Sequence, residues 1–236
     1  MIDRHELFGD NEAVLDIQNG VLQALEEGYA FVPNAISPFG CEVLAEEADT
    51  LSMATEERVA APLHGGTNQE TTQKLERIHL AIGDPRIPMA TFVNKSLAQR
   101  VIMHRFKPQF EYASFKQWLP TEAGYQLYSD PNHHISKHRD NKNDKMLGAT
   151  ITIAGSAEIT VYETLGESND YVNVRQIDTQ VAEPGTVMFL RAAGLGNGER
   201  VVHSVSPPID GPRLILNLRM CDGVLPDPSD PVQIRK

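Results

Sequence analysis

Three side chains able to share one metal ion lie on two separate stretches of this sequence. His138 and Asp140 are two positions apart, and His203 belongs to a distant segment. Two imidazoles and a carboxylate are the ligand set of a non-haem Fe(II) oxygenase centre, which keeps coordination positions open. On an extended strand, residues i and i+2 project from one face, so a strand over 135–140 can offer His138 and Asp140 together. His203 must then come from a second strand. Arg213 follows His203 by ten positions, and a guanidinium fork matches the geometry of a carboxylate. The four residues together could support chemistry with iron, an acidic 2-oxo co-substrate and O2. The plainer reading is a buried ion pair, an unrelated core histidine and a surface arginine.

The surroundings favour the sharper reading. Upstream stands Tyr125-Gln126-Leu127-Tyr128. A turn at Glu183-Pro184-Gly185 feeds the apolar run Val187-Met188-Phe189-Leu190, and His203 sits within Val201-Val202-His203-Ser204-Val205. A Pro/Gly turn over 207–212 then leads into Arg213-Leu214-Ile215-Leu216-Asn217-Leu218-Arg219. By period two, Arg213, Ile215, Asn217 and Arg219 share one face and the three leucines share the other. A strand with leucines on one side and two guanidiniums on the other makes sense if the second face lines a cavity that holds a dianion.

The arrangement over roughly residues 122–221 resembles the Fe(II)/2-oxoglutarate-dependent dioxygenase superfamily, whose members carry H-x-D/E, a distal His and a following basic residue on a double-stranded β-helix. The resemblance implies iron ligation by His138, Asp140 and His203, with Arg213 on the far carboxylate of 2-oxoglutarate. Tyr128 stands where prolyl-hydroxylase-like members have a tyrosine contacting the co-substrate, and His138-Arg139-Asp140-Asn141 is also similar to theirs. AlkB-type members show an N-x-Y before the metal motif and an R-x5-R at the end. Gln126-Leu127-Tyr128 and Arg213 to Arg219 are similar, with Gln in place of Asn, so Gln126 and Arg219 join the candidate co-substrate contacts. Family halogenases lack the carboxylate that Asp140 supplies, so oxygen transfer is the expected outcome.

The rest of the chain must hold these residues in place. At 236 residues it is long enough for one domain with a full core. Asn11 to Glu27 has helical spacing and ends at Gly28. Tyr29 to Ile36 reads as a strand. Ser37 caps a second helix with Pro38 at its first position, running to about Met53. Thr55 to Gln73 reads as a polar loop or lid, and Pro88 to about Phe115 contains a third helix. Short strands follow at 124–129, 135–140, 148–154, 157–163, 171–177, 180–182, 186–190, 201–206 and 214–221. The expected fold is mainly β with flanking helices, a double-stranded β-helix of the jelly-roll, cupin-like kind. Residues 1–236 form one domain, with a helical supporting part over 1–118, the catalytic core over 119–221 and a flexible tail over 222–236.

Other charged and metal-binding side chains read more plainly. His133 and His134 fall in a turn rich in Asp, Pro and Asn and read as solvated. His64, His79 and His104 read as structural or exposed, and Glu42, Glu46 and Glu47 as the wet face of a helix. Arg139 would point away from the ligands on a regular strand.

Composition narrows the partners. The net charge of −11 argues against a phosphate-binding surface. No run is long and apolar enough to span a membrane, and Cys41 and Cys221 form no metal or redox spacing. A reduced, cytoplasmic setting is expected. The expected activity is hydroxylation, or a related oxidation, of a small-molecule C–H bond, using Fe(II), 2-oxoglutarate and O2 and releasing succinate and CO2. The alternatives, in order, are a prolyl-type protein hydroxylase, a nucleic-acid demethylase, and a cupin-like metal-binding protein without 2-oxoglutarate. The last has no need of Arg213. Oligomeric state is not legible.

Overall fold

The computed structural model describes residues 4–8, 11–60, 71–102, 118–140, 144–165, 173–192 and 200–221. The amino-terminal half supplies α1 (Arg4–Leu7), α2 (Asn11–Glu27), β1 (Tyr29–Val32), α3 (Pro38–Asp49), β2 (Ala54–Ala60), β3 (Thr71–Ala81) and α4 (Pro88–Ile102). Then come β4 (Glu122–Tyr128), β5 (Ile135–His138), β6 (Asp144–Ala154), β7 (Ala157–Thr164), β8 (Val174–Ala182), β9 (Val187–Arg191), β10 (Val202–Val205) and β11 (Arg213–Cys221).

All the strand pairings are antiparallel. The order is β1-β9-β6-β11-β4-β3-β5-β10-β7-β8, with β2 added to β3. β3 runs beside β4 and meets β5 at Gln73, so it carries the sheet from a larger leaf to a smaller one. The two leaves face each other. Tyr128, Met188, Leu190 and Ile215 from the first pack with Ile135, Ile159, Val161 and Val205 from the second. On the outer face of the larger leaf, Leu214, Leu216 and Leu218 meet Ile17, Val21 and Leu25 of α2, Leu44 of α3 and Leu97 of α4. The period-two reading of β11 therefore holds. Its leucines face the helices, and its polar alternates face the space between the leaves.

The helix starts and stops follow local chemistry. Gly28, at φ 98°, ends α2 and donates its N–H to Ala24 O at 3.0 Å. Ser37 Oγ accepts the Gly40 N–H at 3.0 Å and Pro38 opens α3.

Several sequence expectations need correction. Residues 55–60 and 71–73 belong to the β2–β3 hairpin rather than to a loop. The segment over 55–74 is mostly polar in sequence, so it carried little apolar alternation, and an Arg77–Glu56 ion pair ties the two strands across. The strand from Tyr29 stops at Val32, before Asn34 at φ 54°. The strands expected at 171–177 and 180–182 are one strand, β8, as far as the described residues show. Glu47 is buried rather than wet, and its carboxylate accepts the N–H groups of Met89 and Ala90 and the Tyr125 hydroxyl. The end of the expected third helix, His64, His104, Asn141 and the tail over 222–236 lie outside the described residues.

Candidate metal centre

His138 and His203 are direct cross-strand partners on β5 and β10. Their ring centroids are 4.2 Å apart. The strand ends at His138, because β10 begins at Val202 and leaves no strand residue opposite Asp140. Asp140 thus reaches the site from just beyond the strand, a correction to the shared strand face expected for it. Its Oδ1 still lies 3.9 Å from Nε2 of each histidine. Among the described residues these three form the one cluster whose donor atoms all lie within 4.8 Å of each other. Bonds of about 2.1 Å, usual for imidazole and carboxylate on a small divalent ion, bridge such separations.

The histidines are oriented for ligation by their other nitrogens. His138 Nδ1 is 2.8 Å from Ser136 O, and His203 Nδ1 is 3.3 Å from Val201 O. A proton on Nδ1 donated to a carbonyl leaves the Nε2 lone pair free for a metal. Burial, reinforced by the neighbouring His203, pushes His138 down to about 4, and burial also lowers His203. Both rings are therefore neutral ligands near pH 7. Burial alone would raise Asp140, but the Arg219 guanidinium and the two imidazoles outweigh it and hold the carboxyl at about 2. Two neutral imidazoles and one carboxylate, with their protons already placed, fit a divalent iron.

Arg219 binds Asp140 Oδ2 at 2.9 Å, so Oδ1 alone is turned to the histidines. Its Nε is 3.5 Å from Asp144 Oδ2. Gly148 makes room for the guanidinium, since a Cβ there would collide with Nη1. Arg200 Nη1 donates to the Asp140 carbonyl.

Farther along the same face of β11, Arg213 is 1 % exposed. Its Nη2 donates to Thr152 Oγ1 at 3.1 Å, while Nε and Nη1 have no partner among the described residues. The guanidinium lies 5.5 Å from the centre of the Tyr128 ring. Tyr128, pushed up to about 12 by burial, remains a neutral hydroxyl and donates to Gln126 Oε1 at 3.4 Å. Arg213, Tyr128 and Gln126 are thus gathered in the chamber between the leaves, whereas Arg219 is engaged by the triad carboxylate, Asp140. A buried guanidinium with two nitrogens unpartnered among the described residues has donors to spare for an anion.

Other candidates fall elsewhere. His133 and His134 hydrogen-bond the backbone of their own turn and do not join the triad. Arg139 donates to Thr164 Oγ1. Sequence reasoning missed Thr152, Asp144, Glu122 and Arg200. The alternation Thr150-Ile151-Thr152-Ile153 carried a signal for Thr152, since hydroxyls at period two in an apolar strand mark a polar inner face. Nothing local marked the other three.

The chain matches no protein-family model and no curated protein. Among solved structures, a prolyl-4-hydroxylase from Pseudomonas putida aligns at a TM-score of 0.51 and 15% identity, covering 87% of this chain and 98% of that one. An oxidoreductase of the 2OG-Fe(II) oxygenase family from Burkholderia pseudomallei aligns at 0.51 and 15%, covering 86% and 89%. At such identity the likeness to these two proteins is one of fold.

Proposed function

We propose that this chain is an Fe(II)- and 2-oxoglutarate-dependent dioxygenase on a double-stranded β-helix, acting in the cytoplasm on a small-molecule C–H bond and releasing succinate and CO2. The observation that carries the reading is Arg213, a buried guanidinium on the inner face of β11 with two nitrogens unpartnered among the described residues. A cupin-like protein that only bound metal would have no use for such a group. His138, Asp140 and His203 would hold the iron, which when bound supplies the activation of O2. Arg213 and Thr152 would take the far carboxylate of 2-oxoglutarate, with Tyr128 closing one side. Arg219 keeps Asp140 Oδ2 occupied, and the apolar walls from Ile159, Val161, Met188 and Leu190 exclude water. Burial keeps both imidazoles unprotonated, so no proton need be displaced when metal arrives.

The second reading is a protein hydroxylase of prolyl type. It is favoured by the run His138-Arg139-Asp140-Asn141 and by likeness to the Pseudomonas putida enzyme. The acidic balance of the chain supports a small molecule over nucleic acid.

The test is anaerobic addition of Fe(II) and then 2-oxoglutarate to metal-free protein, following the visible charge-transfer band of a chelated 2-oxo acid. The band is expected in wild type, absent in His203→Ala and much weaker in Arg213→Ala. Tight metal binding with no band in wild type would remove 2-oxoglutarate from the account. O2-dependent succinate release, stimulated by small molecules or instead by proline-containing peptides, then separates the two substrate classes.

A further inference from the structure

The inference concerns β3, which lies outside the motif-bearing part of the chain, and it rests on the metal reading above. Asp140 follows the end of its strand, so strand pairing does not fix its carboxylate; the 2.9 Å contact with Arg219 does. Arg219 has three carboxylates around it. Asp140 is the nearest, Asp144 is at 3.5 Å, and Glu122 is its cross-strand neighbour on β4, within its field. A long guanidinium side chain shared among three carboxylates has no single resting place unless some of them are otherwise engaged.

Glu122 is engaged from the other side. His79 Nδ1 lies 2.5 Å from Glu122 Oε1, and the Cys221 thiol is 3.8 Å from Oε2. The imidazole can lie there because its cross-strand partner is Gly124, where a Cβ would fall 2.8 Å from His79 Cε1. We infer that His79 is a positioning residue of the metal centre: by occupying Glu122 it leaves Arg219 to Asp140, and so holds Asp140 as a one-oxygen ligand. The β2–β3 hairpin is thereby tied to the geometry of the metal through His79, Glu122, Arg219 and Asp140.

The experiment is anaerobic Co(II) titration of the metal-free full chain, read by the visible absorption of the bound ion, alongside thermal melting of each metal-free variant. His79→Ala is expected to bind Co(II) about ten-fold more weakly, the lower end for partners beyond the ligands, with an altered visible spectrum as Asp140 gains a second free oxygen. Glu122→Gln removes the competitor, so the double variant His79→Ala/Glu122→Gln is expected to recover wild-type affinity and spectrum. A residue that merely supported the fold would leave the double variant no better than the single one. Wild-type affinity and spectrum in His79→Ala, or a double variant as weak as His79→Ala, overturns the inference. Should His79→Ala fail to fold, His79→Gln keeps a donor toward Glu122 and is expected to bind as wild type; a ten-fold loss there overturns the inference equally. Full Co(II) binding by His203→Ala would instead overturn the metal reading itself, a distinct outcome.

Discussion

Arg213 is a costly side chain to bury. Its guanidinium is fully buried, bonded among the described residues only to Thr152 and stacked near Tyr128, and burial lowers its basicity. A buried charge with unmatched donors destabilises a fold, and apolar replacements of similar shape often stabilise it. Arg213→Met is therefore expected to raise the ligand-free unfolding free energy by about 1–3 kcal/mol in urea titration, while abolishing stabilisation by 2-oxoglutarate. A large loss of ligand-free stability would show that the guanidinium serves the core instead.

His138 carries the pH dependence at this scale. Its folded value of about 4 lies below the ordinary 6.5, so between these limits the unfolded chain binds a proton that the folded one does not. Stability thus falls as pH falls through this window. Asp140 works in a lower window, since a carboxyl held at about 2 loses its contribution only below its ordinary 3.8. Metal-free protein is expected to lose on the order of 2 kcal/mol between pH 7 and 5. Urea unfolding at both values checks this, and a His138→Gln protein should show a flatter profile.

Among the elements, α4 depends on a residue that reads in the sequence as surface. Its first turn presents the Met89 and Ala90 N–H groups to the buried Glu47 carboxylate of α3, which also accepts from Tyr125 of β4. One side chain thereby joins two helices to the sheet and completes a helix amino terminus. Glu47→Ala would leave these donors unmatched in an apolar setting. The expected loss is about 3 kcal/mol, read as a lowered urea midpoint at unchanged slope. The helical spacing of α3 was legible in the sequence, but the partner of Glu47 was not, because Met89 and Tyr125 are distant in the chain. The β2–β3 hairpin was missed for a related reason. Its sequence over 55–74 is mostly polar, and the pairing of its strands is visible only once β3 is inserted beside β4.

At the scale of the molecule, ligand binding and folding are linked. Ligands that bind only the folded chain add about 2.7 kcal/mol at one hundred times their dissociation constant. For a chain of this size that corresponds to a rise of roughly 5–10 °C in Tm. Fe(II) with 2-oxoglutarate under nitrogen is expected to produce such a rise in wild type and none in His203→Ala, by calorimetry. The net charge of −11 and the absence, among the described residues, of any helix long and apolar enough to cross a membrane describe the exterior. They leave the choice of substrate to the chamber.

Residue type and spacing were enough to nominate His138, Asp140, His203 and Arg213 as candidates, because metal and dianion chemistry admits few donor sets and a strand's period of two assigns faces without knowledge of neighbours. The same period placed Leu214, Leu216 and Leu218 on the helix side of β11. Tertiary structure alone decided which strands meet. It set His138 opposite His203, put Thr152 beside Arg213, moved Asp140 off the strand and under Arg219, and brought His79 to Glu122. Local sequence determines the direction in which a side chain points, whereas its partner depends on strand order and register, which are settled by contacts between residues far apart in the chain.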